Sequence, residues 1–144
     1  MAITDGPGTY ILLLALHGDS LIQIGRLGAL PFRAGYYLYV GSALNGLRQR
    51  LARHLRATKR LHWHIDYLLQ RAQVVEVWYH LGPERYECAW ARALAQLPAL
   101  SPYNKPFGAS DCSCRTHLFY SAERPSWEQY RSIIHPLDGS ERPC

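Results

Sequence analysis

Residues 36–56, YYLYVGSALNGLRQRLARHLR, place a strand, a turn and a helix in direct succession. The aromatic and β-branched run YYLYV favours a pleated strand and ends at Gly41. The small polar segment Ser42-Ala43-Leu44-Asn45-Gly46 has turn chemistry. The helix after it, residues 47–56, repeats leucine at Leu47, Leu51 and Leu55. That spacing makes a narrow apolar stripe, so one helix face packs on the sheet. Arg50, Arg53 and His54 are grouped beside the stripe and can point together into a cleft at the sheet edge. Arg48 and Arg56 add charge to the same short helix. Tyrosines followed by guanidinium groups make a natural surface for phosphate and base contacts.

The chain has 144 residues, nearly half of them apolar at 48%, and no repeat or linker divides it. A single domain over residues 1–144 is expected, with a core over residues 8–120 and a C-terminal extension over 121–144. The formal net charge is +5, and the excess is concentrated between Arg48 and Arg71. Such a patch points to a polyanion, most often nucleic acid; a solvated basic surface is the plainer reading. The run TYILLLAL is too short to span a bilayer and lacks the basic segment of a signal peptide, so it reads as a buried strand. Four cysteines, Cys88, Cys112, Cys114 and Cys144, read as reduced thiols, and a cytoplasmic location is expected.

Further strands are predicted over residues 8–16, 21–25, 36–41, 72–80 and 117–120, the first two forming a hairpin. A short extra strand is placed at 32–35. Helices are predicted at 61–70, from Pro83 to 97, and at 125–134, with an irregular loop at 98–108 and loose final residues. In the helix after Pro83, Glu87 projects near the centre of the apolar face, beside Trp90, Ala91 and Leu94. A carboxylate there needs a positive partner. It is either half of a structural ion pair with an arginine, or a metal ligand or acid/base group facing the arginine cleft. Strand alternation puts Tyr37 and Tyr39 on one face and Tyr36 on the other. Tyrosines in a sheet are usually packing, but a phenol beside an arginine and a metal can serve as a general base.

Gly8-Thr9-Tyr10 and Tyr39-Val40-Gly41 resemble the two signatures of the GIY-YIG nuclease superfamily. The helix arginine and the later glutamate follow in that superfamily's order. GRLG at 25–28, AGYYLYVGSA at 34–43, LHWHIDYLL at 61–69 and GASDCSCRTHLFY at 108–120 look like its Uri branch. That branch was long called a domain of unknown function and also occurs fused to an endonuclease III-type repair enzyme. The resemblance implies an α+β fold with a small central antiparallel sheet flanked by helices. It also implies a metal-dependent endonuclease acting on DNA, plausibly structured or damaged DNA. Glu87 would hold magnesium or manganese, Arg50 would contact the scissile phosphate, and Tyr10 and Tyr39 would orient or deprotonate the attacking water. His54 resembles a further active-site position, and Gly41 would let the backbone turn tightly. Arg48, Arg53, Arg56, Lys59 and Arg60, with Trp63 for stacking, are expected to bind nucleic acid. A homodimer or a repair protein is an expected partner; a membrane is not.

The stretch between the signatures is longer than in simple members of the superfamily, so residues 23–35 are expected to add a strand or hairpin. The turn after Gly41 is one residue longer, which leaves Arg48 as the alternative to Arg50. The superfamily's asparagine is matched only by approximate position at Asn104, with Asp111 as a structural substitute. Cys112, Cys114 and His117 could bind zinc, with Cys88 or His62 as arbitrary fourth ligands. Three function classes remain: a nuclease, a nucleic-acid-binding module of the same fold with weak catalysis, and a zinc-stabilised interaction domain.

Overall fold

The computed structural model describes residues 5–109 and 114–142. In chain order they form β1 (Gly8–Leu16), β2 (Ser20–Gln23), a short 3-10 turn (Gly25–Leu27), β3 (Ala29–Phe32), β4 (Gly35–Ala43), α1 (Leu47–Leu55), α2 (His64–Leu68), β5 (Gln73–Leu81), α3 (Glu87–Ala95), β6 (Ser101–Pro102), β7 (Leu118–Ser121), α4 (Trp127–Tyr130) and β8 (Gly139–Glu141). Six strands make one sheet in the order β6-β7-β4-β1-β5-β8, and every pairing is antiparallel. The fold is mixed α+β. No described helix is long and apolar enough to cross a membrane.

β1 is the centre of this sheet, and all nine of its residues are buried. Its alternation feeds two cores. Tyr10, Leu12 and Leu14 pack with Leu47 and Leu51 of α1 and Ile65 and Leu68 of α2. Ile11 and Leu13 pack on the other face with Trp78, Trp90 of α3 and Tyr130 of α4. Each fully buried leucine or isoleucine contributes about 1.5–3 kcal/mol relative to exposure. The same alternation separates Tyr37 and Tyr39 from Tyr36, as expected.

The hairpin expected between residues 8–16 and 21–25 does not form. β1 already has β4 on one edge and β5 on the other, so no edge remains for β2. β2 pairs with β3 instead, through Leu21↔Pro31 and Ile22↔Leu30, in a separate two-stranded sheet. This is the extra hairpin expected between the signatures, with its second strand at Ala29–Phe32 and not at 32–35. It is pinned by Phe32 stacking on Tyr103 at 4.8 Å and by the Tyr103 hydroxyl donating to Pro31 O at 2.8 Å.

Three helices are clearly shorter than their patterns, α4 among them, which covers only Trp127–Tyr130 of the expected 125–134. The Asp66 carboxylate accepts from the backbone N–H groups of His62 and Trp63, both at 2.8 Å, so the chain enters α2 only at His64. Before α3, Glu84 lies 3.1 Å from His80 Nε2, and the helix begins at Glu87. The loop at 98–108 contributes the two residues of β6. Of the segment expected to be loose, Gly139–Glu141 form β8, which adds to the outer edge of β5 and pairs Ser140 with Trp78, and residues 143–144 lie outside the described residues. Both sheet edges are thus very short strands, which limits edge-to-edge association.

Candidate active site

Tyr10 and Gly41 are direct partners across β1 and β4. A Cβ on Gly41 would lie 2.5 Å from both Cζ and Oη of Tyr10. Gly41 therefore sits within a strand and not at a turn; its missing side chain lets the Tyr10 ring cross the neighbouring strand. Gly41→Ala is expected to cost about 1–3 kcal/mol through overpacking and to displace the phenol. Urea unfolding should show the loss, whereas Gly18→Ala, with nothing within 4 Å of the added atom, should unfold like the parent.

The displaced ring opens into a cleft of about 550 Å³. Tyr10, Tyr39, Ser42, Arg50, His64 and Glu87 are among the residues lining it. Arg50 Nη1 donates to Ser42 O at 2.9 Å, and the guanidinium lies 4.3 Å over the Trp63 ring. The Arg50 charge also acts on the Tyr10 phenol. The Ser42 hydroxyl donates to Glu87 Oε2 at 3.0 Å. One residue of β4 thus ties the cation of α1 to the carboxylate of α3. Arg48 is exposed on α1 and does not line the cleft.

Glu87 does not lie at the centre of a buried helix face. It is the first residue of α3, 28% exposed, at the helix end where negative charge is favoured. Nor is its partner an arginine: Glu87 Oε1 lies 3.0 Å from Nδ1 of the buried His117.

Both signature phenols stay protonated. Burial pushes Tyr10 and Tyr39 well above the ordinary phenol range, and Arg50 opposes this only in part. Tyr10 Oη lies 2.7 Å from His54 Nε2. Burial, and then Arg50, push His54 down to about 3, so its imidazole is neutral at pH 7. Its Nδ1 is buried and has no partner among the described residues.

His64 was not anticipated in this role. Its Nδ1 accepts from the Gly108 N–H at 2.9 Å, so the proton of the neutral ring is on Nε2. Gly108 has φ +70°, and a Cβ there would lie 2.8 Å from the Tyr39 ring. It thus makes room for Tyr39 while orienting His64. Neither Ser42 nor His64 carried a distinctive signal, because both act through partners distant in sequence.

The predicted nucleic-acid surface divides. Arg48, Arg56 and Arg60 are exposed. Arg53 and Lys59 are committed to structure. Arg53 makes a paired contact to buried Asp66, at 2.7 and 2.9 Å, and lies over Trp63 at 4.2 Å. Lys59 Nζ donates to the carbonyls of Arg53 and His54 at the end of α1. Their charges are offset before any ligand arrives. Asn104 is exposed and does not line the cleft. Asp111 and Cys112 lie outside the described residues. Cys114 and His117 do come together, but with Cys88.

The fold and site define a mixed α+β protein with a cleft at the Gly41 end of the central strands that joins an arginine, a carboxylate, two phenols and the His64 imidazole, with His54 behind Tyr10. The chain belongs to the family described as Domain of unknown function DUF123, whose model matches residues 9–137 and so spans every residue of the cleft. No curated protein and no solved structure matches the chain.

Proposed function

We propose that this protein is a divalent-cation-dependent nuclease of the GIY-YIG type that hydrolyses phosphodiester bonds in DNA. The observation that carries this reading is the Arg50–Ser42–Glu87 connection, which holds opposite charges at fixed positions on one open cleft. Phosphodiester hydrolysis builds negative charge on phosphoryl oxygens, and a preorganised guanidinium stabilises it. The Nε2–H of His64 is a second donor on the same wall.

Glu87 suits magnesium or manganese. It is a hard oxygen donor, held by Ser42 and His117 yet open to the cleft, and such ions keep several waters. When bound, the cation would lower the pKa of coordinated water and offset phosphoryl charge. Tyr10 and Tyr39 orient the attacking water as neutral phenols. Tyr10 can take the water's proton as its own passes to His54 Nε2. A phosphate at Arg50 would supply the negative charge that favours a protonated His54. Arg48, Arg56 and Arg60 would steer the strand.

The protonated phenols favour one other reading, a DNA-binding module of the same shape without efficient cleavage. Single-stranded, duplex and branched DNA, each incubated with the protein and magnesium or manganese, separate the two. Cleavage should require the cation, stop with a chelator, and fall at least about 100-fold in Glu87→Ala. Binding without cleavage of any substrate would replace the nuclease by the binding module.

A further inference from the structure

We propose that Cys88, Cys114 and His117 form a zinc site, distinct from the magnesium position and linked to it through Glu87. The metal-binding atoms of these three residues all lie within 4.8 Å of one another. Tetrahedral zinc, with bonds of about 2.3 Å to sulfur and 2.0–2.1 Å to nitrogen, needs its donors roughly 3.5–3.8 Å apart. Side-chain movements of about 1 Å close that gap. Thiolates and imidazole select zinc over the hard cations that a carboxylate prefers.

The three donors come from two elements. Cys88 is the second residue of α3, at the helix end where the aligned peptide dipoles favour a negatively charged ligand. Cys114 and His117 are separated by two residues and lead into β7. His117 is 1% exposed and both cysteines are half-buried, so the site is shielded but reachable. No fourth side chain joins the cluster among the described residues.

His117 supplies the link. Its Nδ1 lies 3.0 Å from Glu87 Oε1, so the ring's other nitrogen, Nε2, would be the zinc ligand. Metal-bound histidines characteristically donate their other N–H to a carboxylate, which fixes the ring and raises its basicity. Zinc at Nε2 would therefore hold Nδ1–H on Glu87 and fix the carboxylate that faces the cleft. Cys88 immediately follows Glu87, so the backbone couples the two positions as well. The zinc site itself stands whether or not the cleft cleaves DNA.

Elemental analysis of protein purified under reducing conditions without chelator tests it. About one zinc per chain is expected, with near-complete loss in Cys88→Ser and Cys114→Ser. A cobalt titration of the unmutated protein should give thiolate charge-transfer absorption, which guards against variants that fail to fold. Glu87→Gln should still bind zinc, but about 10–100-fold more weakly in a chelator competition. Folded, reduced protein that takes up neither zinc nor cobalt would overturn the site. Unchanged affinity in Glu87→Gln would overturn the link through His117. Neither outcome depends on nuclease activity, so failure here and failure of the nuclease reading are told apart.

Discussion

Arg50→Ala is expected to lower cleavage by about 100–1,000-fold, the range for removing a preorganised donor to developing charge. Arg48→Ala should stay within roughly tenfold of the parent, because a surface cation acts mainly through steering that salt screens. Both arginines are on α1 two positions apart, but only Arg50 enters the cleft. Its guanidinium is held on two sides, by Ser42 O and by the Trp63 ring. A phosphate would thus meet a cation already oriented. Single-turnover cleavage rates at saturating cation decide the matter. Equal losses in the two variants would mean that the cleft is not where the phosphate reacts. Arg50→Lys should recover little, since one ammonium cannot reproduce the planar fork.

Asp66→Ala is expected to destabilise the fold by about 3 kcal/mol, the low end for breaking a buried ion pair because Arg53 keeps some solvent contact. Four donors converge on this fully buried carboxylate: two guanidinium nitrogens of Arg53 and the N–H groups of His62 and Trp63. Removing it frees the start of α2, unlocks α2 from Arg53 of α1 and loosens Trp63, on which Arg50 rests. Thermal unfolding should register a drop of roughly 6–12 °C. Burial would raise the Asp66 pKa, but the bonds from Arg53 and the two backbone groups hold it below the usual aspartate range. Its stabilisation is therefore complete above the unfolded value of about 3.9 and fades as pH falls through the lower folded value. His54 adds acid sensitivity at higher pH. With a folded value of about 3, it disfavours the folded state increasingly as pH drops below the unfolded value of about 6.5. Urea midpoints measured from pH 7 down to about pH 2 should fall for the parent, and the part of that fall below about pH 4 should be smaller in Asp66→Ala.

Local pattern carried much of this molecule. The leucine spacing of α1 placed Leu47 and Leu51 in the core and set Arg50 and His54 beside them. The two-residue period of β1 and β4 sorted the tyrosines between faces. These inferences hold because each depends on a periodicity within one element. Pairing between elements was harder to read. β2 looked like the partner of β1 because it follows next, yet both edges of β1 were taken by strands from later in the chain. The terminal segment looked loose because three residues of β8 carry no strong pattern, and only the open edge of β5 makes them a strand.

The site divides in the same way. Residue types and their spacing grouped Arg50 and His54 beside a cleft at the sheet edge, and the family resemblance alone implied that Tyr10, Tyr39 and Glu87 join them. The tertiary structure decided which polar atoms meet. Arg53 is spent on Asp66, Glu87 faces Ser42 and His117, His64 is oriented by Gly108, and Cys88 joins Cys114. Periodicity sets the direction in which a side chain leaves its own element. A hydrogen bond or a metal site also requires a partner within about 3 Å, and that partner arrives from a distant segment only when the sheet order closes.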